Sequence, residues 1–131
     1  AAVSQRTFLF NDTIYNNIVY GISDVTPAHY EQAIRLSGLD KVLRLLPDKE
    51  RTIIGENGAT LSGGEKQKIS IARALLKNAN VIILDEPSNN LDKKSLYEIK
   101  CVLEKISHEK MVIVIDHNDI FEAVASLIIN L

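Results

Sequence analysis

The segment from Val81 to Asp92 constrains the fold of this chain more than any other part of the sequence. It begins with an apolar, mostly β-branched run, Val81 to Leu84, and two adjacent carboxylates, Asp85 and Glu86, follow directly. A short apolar run of this kind is typical of a strand buried inside a parallel sheet. Open α/β folds bind their ligands at the carboxyl ends of such strands. The segment therefore predicts a parallel sheet that carries acidic groups to a ligand-binding edge.

A second informative segment, residues 61–67, opens the clearest helical pattern in the chain. Ser62 and Glu65 have the spacing of a capping box, in which each side chain binds the backbone N–H of the other residue. Gly63 and Gly64 would let the backbone approach an anion, which the free N–H groups and the dipole of a helix start attract. The alternative is a capped helix with glycines in its first turn. Since each glycine destabilises a helix interior by about 1 kcal/mol, we expect the pair to serve a ligand.

The rest of the chain alternates between helical and strand-like patterns. The predicted elements, in chain order, are a strand tail at 1–4, a loop with a short helix at 8–19, helices at 26–38 and about 40–46, a loop at 48–60, a helix at 62–77, a strand at 81–84, a helix at 93–107, a strand at 111–115, a short helix near 120–125 and a strand at 127–131. Thr26 and Asp40 are the expected N-caps of the second and third helices, and Gly38 the expected stop between them. This alternation favours an α/β fold with parallel strands and right-handed crossovers.

Composition limits the possible partners and location. The chain has 131 residues, a net charge of −2 and one cysteine, Cys101. This charge gives no electrostatic basis for binding nucleic acid or an anionic membrane, and no apolar run approaches the ~20 residues that span a bilayer. No signal segment opens the chain, and a single cysteine gives no disulfide framework. We therefore expect a cytoplasmic domain with no nucleic-acid partner.

Asp85 and Glu86 are candidates for phosphoryl-transfer chemistry. Adjacent side chains of a strand point to opposite sides unless the strand has already ended, so one carboxylate could hold magnesium while the other faces a water molecule. Phosphoryl transfer from ATP requires both a metal that neutralises developing charge and a group that orients the nucleophile. The alternative is a pair of solvated carboxylates at a strand end. The neighbouring motifs favour the functional interpretation.

Three further polar residues are candidates for the same site. A simple N-cap role explains Asp92 completely, so its functional assignment stays open. His117 follows a predicted strand and shares the sheet edge of the carboxylates, which makes it a candidate for contacting phosphate. Gln5 follows the first strand, where its amide could order a water or a metal shell. His29 and His108 lack such a context, and we expect both on the surface.

These motifs, in this order, resemble those of the nucleotide-binding domains of ATP-binding-cassette (ABC) proteins, and the resemblance covers nearly the whole chain. Residues 3–5 resemble the Q-loop, 61–67 the signature sequence, 81–86 the Walker B strand and 88–92 the D-loop, and His117 resembles the switch histidine. Two positions depart from the family pattern. Glu65 stands where glutamine is more usual, and Pro87 stands where exporters commonly have alanine.

The resemblance implies a fold and a set of roles. The fold is a P-loop NTPase-like parallel sheet flanked by helices, with a helical subdomain (about 6–78) inserted before the Walker B strand and the catalytic core resuming at about 79–131. ATP and Mg²⁺ are the implied cofactors. Asp85 would coordinate magnesium together with Gln5, Glu86 would act as base or water orienter, and His117 would contact the terminal phosphate. The residues implied in nucleotide binding are Gln5, Ser62, Gly63, Gly64, Glu65 and Asp92.

In this family ATP is sandwiched between two nucleotide-binding domains, so the signature would clamp ATP bound by a second domain in a homo- or heterodimer. Residues 8–21 and the turn 55–58 look like the exporter branch, in which the region 6–21 meets the coupling helices of the transmembrane domains. Closure on ATP and reopening after hydrolysis would drive transport. The implied location is the cytoplasmic face of the cell membrane.

The Walker A pattern G-x-x-x-x-G-K-[ST] is absent from the chain. We therefore interpret the chain as the C-terminal part of a nucleotide-binding domain that neither binds nor hydrolyses ATP alone. We also expect it to expose an apolar sheet edge and to associate. Two alternatives stay open: a soluble ABC ATPase of the chromosome-maintenance or DNA-repair type, and a non-catalytic split cassette module. The exporter-like residues 8–21 argue against the first, and Glu86 argues against the second.

Overall fold

A computed structural model of the protein describes residues 1–4 and 8–129. The elements in chain order are β1 (Ala2–Val3), α1 (Ile14–Val19), α2 (Pro27–Leu36), α3 (Leu39–Leu45), α4 (Gly63–Leu76), β2 (Val81–Asp85), α5 (Lys93–Ser107) and β3 (Met111–Ile115). Short 3₁₀ helices cover Lys49–Arg51, Glu56–Gly58 and Asp119–Val124. Gln5, which the sequence assigns to the nucleotide and metal site, lies outside the described residues.

The described strands form one parallel sheet in the order β1-β2-β3. Val3 pairs with Leu84, and Leu84 pairs with Val114 on the other side. Because all three strands run in the same direction, their carboxyl ends meet at one edge of the sheet. The parallel α/β arrangement predicted from the sequence is confirmed.

The start and stop signals of the longer helices are the ones that the sequence indicates. The Thr26 side chain accepts a hydrogen bond from the backbone N–H of His29 at the start of α2. Gly38 follows this helix with a φ of +73°, a backbone conformation that glycine adopts without strain. At the start of α4, Ser62 and Glu65 form both bonds of the capping box. Local side-chain chemistry therefore sets these helix ends.

Two predictions about local structure are wrong. Asp40 does not cap α3, because this helix begins directly after Gly38 and places Asp40 in its first turn, paired with Arg44. Residues 127–129 form no strand. Their apolar side chains are exposed, so burial does not stabilise an extended conformation there. By contrast, the short helix predicted near 120–125 is present as a 3₁₀ helix at Asp119–Val124, and Asn118 caps it by accepting a hydrogen bond from the N–H of Ile120.

Two clusters of buried side chains form the core. The sheet core lies between the sheet, α4 and α5, and it contains Val3, Ala33, Ile71, Ala74, Leu75, Ile82, Leu84, Ile99, Val102, Leu103, Ile106 and Phe121. The helical core lies among α1 to α4, and it contains Leu9, Ile14, Ile18, Ile34, Leu39, Val42, Leu43, Ile54, Ile69 and Ala72. Helix α4 supplies residues to both clusters, so it joins the helical part of the chain to the sheet.

Only one face of the sheet is covered by described residues. Ile82 and Leu84 are buried in the sheet core, whereas Ile83 and the β3 residues Met111, Ile113 and Ile115 are exposed. The strand predicted to be buried is therefore buried on one side only, because α4 and α5 pack on the same face of the sheet. Among residues 1–4 and 8–129, none of the helices has the length and apolar character that a bilayer crossing requires.

Candidate functional site

The carboxyl ends of β2 and β3 bring the predicted catalytic residues together. Asp85 is the last residue of β2 and pairs with Ile115, the last residue of β3. Glu86 has left the strand and has a φ of +47°, a left-handed backbone that strains a non-glycine residue by about 1–2 kcal/mol. Its backbone N–H donates a hydrogen bond of 2.7 Å to the Ile115 carbonyl, which holds the turn against β3. Strain of this kind is found preferentially at functional sites.

Glu86 and His117 face each other at this edge. Glu86 Oε1 lies 3.9 Å from His117 Nδ1. Asn89 Nδ2 donates a hydrogen bond of 3.0 Å to Glu86 Oε2, so two polar side chains flank the carboxylate. The His117 side chain is 78% exposed and that of Glu86 is 35% exposed. Both side chains are accessible to a ligand from solvent. The backbone fixes the positions from which the two side chains extend.

Sequence reasoning missed Asp116, which lies between β3 and His117. Its carboxylate accepts hydrogen bonds from the Ser88 backbone N–H at 2.8 Å and from the Ser88 hydroxyl at 2.7 Å. It accepts a third bond of 2.9 Å from the N–H of Asn118. An acidic residue directly after an apolar strand was the available signal, since the same pattern singled out Asp85.

Asp92 is the N-cap of α5, which is one of the two roles that the sequence leaves open for this residue. Its Oδ1 accepts a hydrogen bond of 3.1 Å from the N–H of Ser95. Hydrogen bonds from the Ser95 side chain and backbone hold the pKa of the exposed Asp92 carboxyl below its ordinary value. A capping role accounts for this geometry, and a nucleotide contact by Asp92 stays a prediction.

Gly63 and Gly64, at the start of α4, pack closely against residues 90–95 of the same chain. A Cβ at Gly64 would lie 2.8 Å from the Ser95 Cβ, and a Cβ at Gly63 would lie 3.0 Å from the Asn90 carbonyl oxygen. Both glycines therefore have a packing role within this chain. The cost of glycine in a helix is consequently no longer an argument for a ligand at this point.

The capping box leaves part of the α4 start available. It occupies the N–H of Ser62, which donates to Glu65 Oε2 at 2.8 Å, and the N–H of Glu65, which donates to Ser62 Oγ at 3.3 Å. First-turn geometry leaves the N–H groups of Gly63 and Gly64 without an intrahelical acceptor. The arrangement is compatible with a phosphate at this helix start, which is what the sequence predicts.

An ion pair between Lys68 and Glu98 joins α4 to α5 one turn beyond this contact. The Lys68 side chain is only 7% exposed, whereas Glu98 is 38% exposed. The hydrogen bond from Lys68 holds the pKa of Glu98 below its ordinary value. No local sequence signal predicts this pair, because the two residues are 30 positions apart.

The segment before α2 is tied to α4 by buried polar groups. Asn17 is fully buried, and its amide binds both backbone groups of Phe10 and the carbonyl of Thr13. Arg73 of α4 donates to the carbonyls of Asn17 and Phe8, and burial lowers its pKa. The aromatic rings of this segment remain partly or largely accessible: Phe8 and Tyr20 are exposed, and both contact Phe10.

The donor set at the sheet edge limits how a metal could bind. Within residues 1–4 and 8–129, no group of three or more His, Cys, Asp or Glu side chains could hold a metal ion alone. Asp85 supplies one exposed carboxylate. Magnesium is commonly held by one or two carboxylates together with substrate phosphates and waters. The edge therefore fits a magnesium ion that arrives with a nucleotide rather than a permanent metal site.

Comparison with families of known proteins shows to which family the chain belongs. Residues 1–89 match the family model described as ABC transporter. The chain belongs to the ABC transporter family. Similar proteins include ATP-dependent lipid A-core flippases of Legionella pneumophila, 44% identical over 115 residues, and of Chromobacterium violaceum, 45% identical over 117 residues. The human ATP-binding cassette sub-family B member 5 is 44% identical over 115 residues. These matches cover 88–89% of this chain.

The solved structure of a bacterial Atm1-family ABC exporter with ATP bound is similar over 90% of this chain, with a TM-score of 0.77 and 33% sequence identity. The chain spans 20% of the length of each flippase, 9% of the human protein and 21% of the Atm1-family chain. The recognition of an exporter-type ABC nucleotide-binding domain, made from the motifs, is confirmed, and so is the α/β fold class.

Proposed function

We propose that this chain forms part of the ATP-hydrolysing motor of an ABC exporter, which moves a substrate across a membrane. The observation that supports this most is the position of Glu86 opposite His117, 3.9 Å apart, at the carboxyl edge of a parallel sheet. Ligands of open α/β sheets bind at this edge. The exporter-type relatives favour this function over that of a chromosome-maintenance or DNA-repair ATPase.

In this proposal each residue at the sheet edge has a separate role in ATP hydrolysis. Asp85, with Gln5, would hold a magnesium ion, which supplies charge neutralisation on the ATP phosphates. Glu86 orients the attacking water and takes up its proton, and Asn89 fixes one oxygen of the Glu86 carboxylate. His117 donates a hydrogen bond to the terminal phosphate.

The signature would act on the nucleotide of a second domain. The start of α4, with Ser62, Gly63, Gly64 and Glu65, would bind phosphate held by that second domain, and Asp92 would lie near the interface. The partner domain would be an identical or a different nucleotide-binding domain. The capping box supports this role because it fixes the first turn of α4 before any ligand arrives.

The region 6–21 would contact the transmembrane domains at the cytoplasmic face of the membrane. Exposed Phe8 and Tyr20 support this surface, and Arg73 holds the backbone beneath it by donating to the carbonyls of Phe8 and Asn17. We further propose that residues 6–78 form the helical subdomain and that 79–131 belong to the catalytic core. The helical core supports this division, because all of its residues fall between Leu9 and Ala72. Since the Walker A pattern is absent, the isolated chain should not bind Mg-ATP stoichiometrically, which calorimetric titration checks.

The proposal is tested by Glu86→Gln in the full-length protein. We expect ATP turnover to fall at least ~100-fold, because the amide cannot accept the proton of the attacking water. ATP affinity should remain. The control is Glu122→Gln, an exposed glutamate of the 3₁₀ helix after β3, which should keep its turnover. Turnover of the Glu86→Gln protein at the wild-type rate would contradict the role of Glu86, and a wild-type protein without ATP hydrolysis would contradict the function.

A further inference from the structure

Asp116 lies at the candidate site, directly before His117. Its carboxylate accepts three hydrogen bonds: two from Ser88, in the turn that follows β2, and one from Asn118, in the loop that follows β3. Ser88 and Asp116 are 28 positions apart in sequence. One side chain therefore joins the two loops that carry Glu86 and His117.

These bonds fix the loops near the reacting groups. Ser88 is two residues after Glu86, and Asn89, which donates to the Glu86 carboxylate, is next in sequence. His117 lies between Asp116 and Asn118, so the bond from Asn118 closes a short turn around it. Because the His117 side chain is 78% exposed, its position depends largely on its backbone.

We propose that Asp116 is a positioning residue that holds Glu86 and His117 in a common geometry through Ser88 and Asn118. The inference rests on the proposed function, since it assigns a task in ATP hydrolysis to a residue that itself touches neither ATP nor water in the reaction. A carboxylate suits the task because it only accepts hydrogen bonds and has two oxygens for the three donors. Small displacements of reacting groups reduce rates strongly, which makes such a link consequential.

The test is Asp116→Asn in the full-length protein. The asparagine amide replaces one oxygen by an NH₂ group, which cannot accept from the Ser88 N–H or hydroxyl. We expect kcat for ATP hydrolysis to fall roughly 10- to 100-fold, with KM for ATP changed less than twofold. Asp119→Asn removes the same charge from an exposed residue three positions further along the chain and should match the wild type.

Ser88→Ala provides a second, milder variant, because it removes one of the three bonds and leaves the backbone donor in place. It should lower kcat less than Asp116→Asn does. The double variant should be no slower than Asp116→Asn alone, since both changes act through one link.

Three results would overturn the inference. One is a kcat of Asp116→Asn within twofold of Asp119→Asn. Another is a thermal destabilisation of Asp116→Asn or Ser88→Ala with unchanged kcat per folded molecule, which is the result of a purely structural role. The third is a multiplicative loss in the double variant. Failure of the wild-type protein to hydrolyse ATP would overturn the proposed function as well, whereas these three results leave the proposed function standing.

Discussion

The start of α4 and the carboxyl edge of the sheet are both candidate ligand sites, but different interactions build them. At the start of α4, Ser62 and Glu65 cap the helix over a spacing of three residues. At the sheet edge, Asp116 binds Ser88 over a spacing of 28 residues. The first site depends on local side-chain chemistry and close backbone packing. The second depends on two loops that only the parallel pairing of β2 and β3 brings together.

The largest effect on this comparison should come from Gly64→Val. Its Cβ would lie 2.8 Å from both the Cβ and the Oγ of Ser95, so α4 and the start of α5 must move apart. We expect the opening free energy of α4, measured by hydrogen exchange in the full-length protein, to fall by about 2 kcal/mol. Adding Ser95→Gly should recover part of this loss, because it removes both of the contacted atoms.

Ser95→Gly alone serves as the control for that experiment, since it keeps the backbone N–H that donates a hydrogen bond to Asp92. Exchange of α4 in the Gly64→Val protein at the wild-type rate would show that close packing does not define the α4 start. The two sites would then not differ in the interactions that build them.

The smallest effect should come from the ion pair of Lys68 and Glu98. Because the folded pKa of Glu98 lies below its ordinary value of 4.5, the pair stabilises the α4–α5 contact fully above that pH and loses this contribution as the pH falls through the lowered pKa. Glu98→Gln should lack this pH dependence. We expect a difference of at most about 1 kcal/mol above pH 4.5, since Glu98 is 38% exposed.

Hydrogen exchange of α4 and α5 against pH, for the wild type and Glu98→Gln, measures this difference. Glu104→Gln, an exposed residue of α5, is the matched control and should retain the pH dependence of the wild type. A wild-type protein whose α4–α5 contact grows more stable below pH 4.5 would contradict the sign of the effect.

Much of the fold could be predicted because its signals are local. The capping box of Ser62, the N-cap of Thr26 and the left-handed Gly38 each follow from the chemistry of one or two residues. The apolar runs of β2 and β3 predict strands for the same reason. The strand expected at 127–131 is not present at 127–129. An apolar run forms a strand only where another strand pairs with it or other residues bury it, and these side chains are exposed.

The site was predicted less completely than the fold. Asp85, Glu86 and His117 could be singled out as candidates because each stands at or just after the end of an apolar strand. Asp116 was missed although it shows the same signal. The pairing of Lys68 with Glu98 depends on how two distant helices pack, which no spacing in the sequence encodes. The packing role of Gly64 was missed for the same reason, since Ser95 lies on another helix.

We propose that both sites bind ATP in the full-length protein. Hydrogen exchange of the full-length Glu86→Gln protein, with and without Mg-ATP, tests it most directly because this variant should bind ATP without consuming it. We predict slower exchange on adding Mg-ATP at residues 62–66 of the α4 start and at 86–92 and 116–118 of the sheet edge, with α2 unchanged. Unchanged exchange at all three segments, in a protein that binds Mg-ATP, would contradict the account.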